Sequence, residues 1–578
     1  MPHAAHAESM SLSRKSRTPV VDLESVVSGV FYALTAVLVI TPIVYLIYGS
    51  FLTDSPGAPS AQWTFANWVR AYTDSTYLSA FFNTLTLSTT VAILAMIMGA
   101  AMAWIVSRTN APGRNKLAML VIVPLMLSNL ITAVGWIALA APNAGFINAA
   151  ANALFGIRTV FNIYSFQGIV LVLAVDHAAF AFVAFYAALR SIDGALEEAS
   201  YTLGAGPVQT GLRMTLPLIF PTVAATFLLI FVSTAENFSV PTLLGSGFGY
   251  QTLPSRIYFD MTVEPSEPTM AAASGMMLLW IALAGTLWQR RILARTSQYV
   301  TISGKGSRPR ITDLGPWKYV ATACLVFYLV IGVILPYSAL LFSSFLNFLT
   351  PRLSWKLFTF DNYLFLLRRE NVDATINSLL FSIGGGLLIT GLYVTLSYFI
   401  KRSATGASRL IEYVAMIPTA IPAVVLAVGI LWTFVGLPLP IYGTAAILII
   451  AYFIRYIGLG VRQSRTALAQ VSSELTEAAR MSGASPLRAF TDVTVPLVRP
   501  AALALWTLLF MSIFTEISVT ILLYSYDTVT LPVRLWNDMS QGHQTRAIAV
   551  AVLQASIMFV IIFAADRKFG ILRNTLDR

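Results

Sequence analysis

Long apolar segments separated by short polar loops constrain the fold of this chain more than any other feature. Each segment is close to the ~20 residues that a helix needs to cross the hydrocarbon core of a bilayer. Only 11% of the 578 residues are charged, less than half the share in a soluble domain. The sequence therefore predicts an all-α polytopic membrane protein and excludes a soluble enzyme, a disordered chain and a disulfide scaffold. Predicted spans 1 to 12 are residues 26–51, 79–107, 117–140, 166–189, 218–242, 271–288, 319–345, 377–400, 411–435, 441–463, 497–523 and 546–565.

Lysine and arginine alternate between rich and poor loops along the chain. They are frequent after spans 2 and 8, in the polar stretch between spans 6 and 7, and after span 12. Because basic residues favour cytoplasmic loops, we expect both termini in the cytoplasm. The same asymmetry accounts for the net charge of +11. We therefore expect membrane lipid as a partner and no nucleic acid. The first apolar run is too long for the core of a signal peptide.

The two halves of the chain repeat the same ordered series of polar and turn residues. The offset is 295 before span 2 and 294 from there to span 3. It then drops by 15 to 279, because half one has the longer loop between spans 3 and 4, and it is 278 after the fifth span. We expect an N-terminal tail (1–25), a first repeat of six spans (26–294), a cytoplasmic linker (295–318) and a second repeat of six spans (319–578). Repeats with an even number of spans are parallel, so a pseudo-two-fold axis along the membrane normal should relate them. Equivalent pairs include Asn83 and Asn377, Pro124 and Pro418, Gly135 and Gly429, Glu198 and Glu477, and Pro217 and Pro496.

A polar segment follows span 4 in half one (196–217, elbow 1) and span 10 in half two (475–496, elbow 2). Each reads as helix–turn–helix, because Glu and Ala are good helix formers, Gly204 and Gly483 can end a helix in the left-handed conformation, and Pro207 and Pro486 suit the first turn of the next helix. Each elbow should present a short exposed helix to a partner.

The elbow pattern of Glu-Ala-Ala, three residues, Gly and a later Pro resembles the signature loop of ABC importer permeases of the binding-protein-dependent kind. Elbow 1 departs from it at Ser200, where Ala is usual. The resemblance implies a location in the inner membrane of a bacterial cell. It implies that each elbow docks into one of two copies of a cytoplasmic ATPase, which binds ATP and Mg, and that this chain holds no cofactor. It also implies an extracytoplasmic solute-binding protein. The alternative is an ordinary amphipathic loop. The implied coupling residues are Glu197, Glu198, Ala199, Gly204, Pro207, Glu477, Ala478, Ala479, Gly483 and Pro486.

Segments 235–245 and 514–525 resemble the fifth-span segments of fused permeases for ferric iron. That resemblance implies ferric iron as the substrate. Fused permeases for 2-aminoethylphosphonate, other phosphorylated solutes, thiamine or polyamines are similar, so these solutes stay open. A secondary transporter that uses Asp176 or Glu236 as a proton site is a further alternative, although it leaves the duplicated elbows unexplained.

Ionisable groups at membrane depth are costly, so each needs a structural or functional reason. Asp176 and Arg455 are equivalent in the two repeats and could either pair with each other or meet substrate. Glu236 and Glu516 lie near the ends of the fifth spans, one residue out of register, and would favour a cation if they face the path; capping is the alternative. The candidate pathway residues are Asp176, His177, Glu236, Asn237, Arg455 and Glu516.

Arg256 and Arg534 recur in the loops after the fifth spans. They could contact the solute-binding protein or gate the mouth, or they could be ordinary solvated charges. No His, Cys, Asp or Glu pattern has metal-ligand spacing, so no firm metal site is predicted. The chain also lacks the Gly-x-x-x-x-Gly-Lys-[Ser/Thr] loop that binds nucleotide phosphates. We therefore expect a transport subunit, not an enzyme.

Overall fold

A computed structural model describes residues 23–295 except 158, and residues 311–569 except 351, 353, 404, 437 and 438. Most of the predicted N-terminal tail and linker lies outside these residues. Ten described helices are long and apolar enough to cross a membrane, and the count reaches twelve if two bent helix pairs are each one span. The ten are Val26–Ser50, Ser75–Arg108, Phe166–Arg190, Gly211–Ala235, Pro268–Gln289, Gly315–Ser343, Arg369–Arg402, Ala445–Ala469, Pro486–Phe514 and Gln544–Ala564.

Spans 3 and 9 are not the continuous helices that the sequence predicts. Each is a pair of helices with a sharp bend, of 101° in bent pair 1 (Arg114–Met126 and Asn129–Ala140) and of 116° in bent pair 2 (Gly406–Ala420 and Ala423–Val435). In bent pair 1 the Ser128 side chain accepts from the Leu130 N–H and caps the restarted helix. In bent pair 2 Pro422 disfavours a helical residue before it, and Ile421 is extended. Non-helical backbone therefore interrupts the interior of each half at the same place.

The fifth span of each half ends earlier than predicted. The helices end at Ala235 and Phe514, and short helices follow at Ser239–Gly245 and Thr520–Leu523. The Asn237 Oδ1 atom accepts from the Val240 N–H at 3.2 Å, and the Glu516 Oε1 atom accepts from the Val519 N–H at 3.0 Å. Asn237 and Glu516 are equivalent at the offset of 279, so the two repeats use the same cap with different side chains.

The two halves exchange contacts in a reciprocal way. A Cβ atom on Gly135 of bent pair 1 would lie 2.6 Å from the Pro336 carbonyl oxygen in span 7, and one on Gly429 of bent pair 2 would lie 2.3 Å from the Pro42 carbonyl oxygen in span 1. Each first span thus packs on the bent pair of the other half, and only glycine allows this approach. The predicted fold, two parallel repeats related by a pseudo-two-fold axis, is confirmed.

Shorter helices connect the spans, and most of them recur in both halves. The described end of the linker is fastened to half one, because the Thr312 N–H donates to the Arg108 carbonyl oxygen at 2.8 Å and the Leu314 N–H donates to Asn110 Oδ1 at 3.1 Å. The connecting helices are Ala66–Thr73, Phe146–Phe155, Gly194–Thr202, Leu253–Thr262, Asp361–Leu366, Ser473–Met481 and Leu531–Ser540.

Candidate functional site

Both elbows adopt the predicted helix–turn–helix. Helices Gly194–Thr202 and Ser473–Met481 are followed by glycines in the left-handed region, Gly204 with φ +85° and Gly483 with φ +90°. Bonds from the residue after each glycine close the turn, at 3.1 Å in elbow 1 and 3.0 Å in elbow 2. This is the C-terminal helix stop for which glycine is favoured. Because an even number of spans separates the elbows, they emerge on one face of the bundle, which we call the elbow face.

The departure of elbow 1 from the family pattern has a local explanation. The Ser200 hydroxyl lies 2.9 Å from the Thr210 hydroxyl, so it joins the first helix of the elbow to the second. In elbow 2 the equivalent residues are Ala479 and Ala489. Half one therefore has a hydrogen-bonded pair of hydroxyl groups at the place where half two has two methyl groups.

The elbows expose the residues that a partner would contact. Glu198 and Ala199 of elbow 1 are exposed, as are Glu477 and Ala478 of elbow 2. The sequence interpretation missed a large apolar side chain at each turn, Leu203 in elbow 1 (87% exposed) and Met481 in elbow 2 (89% exposed). Exposed apolar groups beside charged ones are typical of protein interaction sites.

Glu197 does not belong to this exposed surface. Its carboxylate lies 3.1 Å from the Arg108 guanidinium, and the two side chains are only 9% and 3% exposed. Arg108 also donates to the Leu189 carbonyl oxygen at the end of span 4, at 2.8 Å. Glu197 therefore anchors elbow 1 to spans 2 and 4 and presents little surface to a partner.

Half two anchors its elbow differently. Thr476 occupies the position of Glu197, and the Lys401 ammonium donates to the Leu468 carbonyl oxygen at 2.7 Å. Leu468 is equivalent to Leu189, whose carbonyl oxygen accepts from Arg108. Lys401 lies one position before the equivalent of Arg108 and makes this contact in half two. The two elbows share a backbone shape but are joined to the bundle by different polar contacts.

A half-buried charged cluster joins the halves near the ends of the fifth spans. The Arg455 guanidinium lies 3.0 Å from Glu236 Oε2, and Arg455 also donates to the Ile421 carbonyl oxygen in the break of bent pair 2, at 3.2 Å. The Tyr456 hydroxyl donates to Glu516 Oε2 at 2.7 Å. The suggested pair of Asp176 with Arg455 is wrong, because Glu236 is the partner of Arg455. The long Arg455 side chain reaches from half two to the Glu236 carboxylate in half one. The equivalent residue of half one, Asp176, has a short side chain.

Asp176 and His177 lie elsewhere in half one, in the middle of span 4. The Asp176 carboxylate is 3.9 Å from His177 Nδ1. That nitrogen is 2.8 Å from the Leu173 carbonyl oxygen, and His177 Nε2 is 3.2 Å from the Ser233 hydroxyl on span 5. The six candidate pathway residues thus form two groups: Glu236, Asn237, Glu516 and Arg455 near the breaks after the fifth spans, and Asp176 with His177 beside span 5.

Arg256 and Arg534 are not solvated loop charges. Both lie on helices and pair four residues on, Arg256 with Asp260 at 2.8 Å and Arg534 with Asp538 at 3.4 Å. Each guanidinium also lies over an aromatic ring, Tyr77 in half one and Phe365 in half two. Their side chains are 24% and 21% exposed, so contact with a solute-binding protein stays a prediction.

Among the described residues, no group of three or more His, Cys, Asp or Glu side chains could hold a metal ion. The charged groups instead form pairs within the bundle. What the geometry defines is a polytopic membrane protein with two pseudo-symmetric halves, a charged junction between them and two exposed elbows on one face.

These features define a membrane permease built from a duplicated unit. The family model described as "Binding-protein-dependent transport system inner membrane component" matches residues 92–298 and 388–572, one match in each half. The chain belongs to this family. It is a multi-pass inner-membrane component of a binding-protein-dependent, ABC-type importer, and a transport subunit rather than an enzyme.

Relatives with printed names align over much of the chain. The "Ferric transport system permease protein FbpB" of Actinobacillus pleuropneumoniae is 27% identical over 87% of this chain and 71% of its own length. The "Fe(3+)-transport system permease protein FbpB 2" of Haemophilus influenzae is 23% identical over 83% of this chain and 88% of its own length. The "Putative 2-aminoethylphosphonate transport system permease protein PhnV" of Salmonella typhimurium is 27% identical over 36% of this chain and 79% of its own length.

One solved structure is similar to part of the chain. It is a bacterial ABC transporter involved in the import of the acidic polysaccharide alginate, with 22% identity and a TM-score of 0.36 over 46% of this chain and 97% of that chain.

Proposed function

We propose that this chain is the permease of an ATP-driven importer for ferric iron. The observation that carries the substrate is the extent of the likeness: relatives named as ferric permeases align over 80–87% of the chain, in both halves, whereas the phosphonate permease aligns over 36%. The likeness to the ferric permeases therefore spans both halves of this chain, over 71–72% of the length of those relatives.

The charges at the junction support a cationic substrate less strongly than two free carboxylates would. Arg455 neutralises Glu236, so the cluster of Glu236, Glu516 and Arg455 carries a net charge of about −1 when both carboxylates are ionised. One uncompensated carboxylate still favours a cation over an anion in this region. Glu516 is the better probe of this argument, because glutamine at that position keeps oxygen and nitrogen atoms for its hydrogen-bond partners.

The direct experiment measures uptake of radioactive ferric iron by cells that express this chain together with its binding protein and ATPase. We expect ATP-dependent ferric uptake that Glu516→Gln reduces, while 2-aminoethylphosphonate neither enters nor competes. Uptake of the phosphonate without iron would overturn the substrate assignment. Uptake that persists without the ATPase would instead favour an ion-driven secondary transporter.

The proposal includes two copies of a cytoplasmic ATPase, one on each elbow, with ATP and Mg bound to the ATPase. The exposed Glu198 and Glu477, with Leu203 and Met481 at the turns, support this docking because they combine charge and apolar surface. The excess of basic residues on the elbow face supports cytoplasmic termini. A solute-binding protein would deliver iron to the opposite face, where Arg256 and Arg534 lie.

Co-purification tests the ATPase interface. We expect the double change Glu198→Lys and Glu477→Lys to abolish recovery of the ATPase with the permease. Glu264→Lys is a matched control, because Glu264 is exposed but lies on the opposite face. Equal ATPase recovery with the elbow variant and the control would reject the elbows as the docking sites.

A further inference from the structure

A cavity of about 360 Å³ lies in half one, between the break of bent pair 1, span 4 and span 5, and opens to the surface beside Phe180 and Leu229. Its polar lining is Asn129, Asp176, His177 and Ser233, and the remaining lining is apolar. Asp176 is only 8% exposed, and its Oδ1 atom has no hydrogen-bond partner among the described residues. A buried carboxylate in an apolar surrounding is costly unless a positive charge or a hydrogen bond compensates it.

The neighbouring histidine has other hydrogen-bond partners. His177 Nδ1 lies 2.8 Å from a carbonyl oxygen, which can only accept, so this nitrogen carries hydrogen and donates to Leu173. In the neutral ring, Nε2 then accepts from the Ser233 hydroxyl at 3.2 Å. This arrangement leaves the lone pairs of the Ser233 oxygen available near Asp176. The cavity therefore offers carboxylate, amide and hydroxyl oxygen atoms.

The internal repeat shows what half two has at the same place. The equivalents of Asp176, His177 and Asn129 are Arg455, Tyr456 and Ala423. The Arg455 guanidinium donates to the backbone of the break in bent pair 2 and pairs with Glu236 across the halves. Half two thus carries a covalently attached positive charge where half one has an acidic side chain beside a cavity.

We infer that half one contains a binding site for an oxygen-seeking metal cation, formed by Asp176 with Asn129 and Ser233. The bound cation supplies in half one the positive charge that Arg455 supplies in half two. Carboxylate, amide and hydroxyl oxygens suit hard cations better than soft ones. The inference rests on the proposed function only in taking the natural occupant to be the transported ferric ion.

The probe for this site is terbium(III), a trivalent oxygen-seeking ion whose emission is sensitised by nearby tyrosine. Tyr328 is suitably placed, because its hydroxyl donates to the carbonyl oxygen of Val175, the residue before Asp176, at 2.9 Å. The measurements use the purified full chain in lipid nanodiscs. We expect saturable sensitised emission and a rise in the thermal unfolding midpoint with terbium, since a ligand that binds only the folded state stabilises it.

Two variants locate the site and one controls for surface binding. Asp176→Asn should lose the saturable emission and the thermal shift, and Asn129→Ala, which introduces the residue of half two, should weaken both. Asp492→Asn removes an exposed carboxylate and should change neither. Without terbium, Asp176→Asn should unfold at the same temperature as the wild type or at a higher one, because asparagine has no charge to bury.

The competing arrangement is a pair between Asp176 and a protonated His177. In that case Asp176→Asn lowers the unfolding midpoint, terbium shifts nothing, and the inference is overturned. Ferric uptake by the wild-type importer, measured in parallel, decides the substrate separately. Terbium binding that depends on Asp176 without ferric uptake keeps the site and rejects iron, whereas ferric uptake without such binding keeps iron and rejects the site.

Discussion

Replacing Glu197 with glutamine should destabilise the protein much more than the same change at its neighbour Glu198. Glu197 is 3.1 Å from Arg108, with side-chain exposures of 9% and 3%, so water screens the pair very little. Glu198 is exposed on the same elbow. The two variants make the same chemical change at adjacent positions. They differ in whether the carboxylate that is lost was buried or exposed.

The magnitude follows from leaving one charge of a buried pair uncompensated. Removing one partner of such a pair costs ~3–5 kcal/mol. Glutamine retains a neutral hydrogen bond to Arg108, which recovers ~1 kcal/mol. We therefore expect a loss of ~2–4 kcal/mol for Glu197→Gln, against less than ~0.5 kcal/mol for Glu198→Gln, as for ordinary surface changes.

The assay is equilibrium unfolding of the purified chain by a denaturing detergent, arranged as a double-mutant cycle with Arg108→Gln. The double variant should be more stable than the sum of the two single changes predicts, because neither charge is then left alone. A coupling free energy near zero, or equal losses for the variants at 197 and 198, would refute the assignment of Glu197 as an anchor of elbow 1.

Three further predictions concern the turns, the packing between halves and the dependence on pH. Gly204→Ala and Gly483→Ala should each lower the free energy of unfolding by ~1–2 kcal/mol. The cause is the left-handed backbone alone, because a Cβ at either site meets nothing within 4 Å. Asparagine should cost less than alanine, and equal losses for the two residues would contradict this reason. Gly429→Ala should cost ~1–3 kcal/mol by overpacking, whereas Gly391→Ala, with open space around it, should be neutral or slightly stabilising in the same unfolding assay. Burial raises the pKa of Asp260 to about 6, although Arg256 acts in the opposite direction. Between pH 6 and pH 4 the folded state therefore binds a proton more readily than the unfolded state. The stability of the protein should rise as the pH falls through this range. Asp260→Asn should lose this contribution in unfolding curves across that range, and an unchanged slope would contradict it.

The sequence predicted the features that depend on local pattern. Apolar segments of spanning length, the change of offset from 294 to 279, and the Gly and Pro positions of the elbows all follow from residue types at fixed spacings. Asn237 and Glu516 make the same cap, so Glu516 is the equivalent of Asn237. This is why Glu236 and Glu516 are one residue out of register. The repeat therefore pairs Asn237 with Glu516 in structure as well as in sequence.

Side-chain partners could not be predicted, because they depend on how the halves pack. Arg455 has the reach to pair with Glu236 on the other half, and pseudo-symmetry alone suggested Asp176 instead. Glu197 and Glu198 are adjacent and of the same residue type, although one is buried and the other exposed. Only the repeat separates them, because their equivalents are Thr476 and Glu477. The bends in spans 3 and 9 had a signal in Ser128 and Pro422 that hydropathy alone did not reveal.

The central claim is that both elbows contact the ATPase, and site-specific cross-linking tests it most directly. The chain has a single cysteine, Cys324, so Cys324→Ser gives a background in which one cysteine at a time can be introduced. In membranes that contain the whole importer, Ala199→Cys and Ala478→Cys should each cross-link to the ATPase, and Ser246→Cys on the opposite face should not. An intact importer in which neither elbow cross-links to the ATPase would contradict the account.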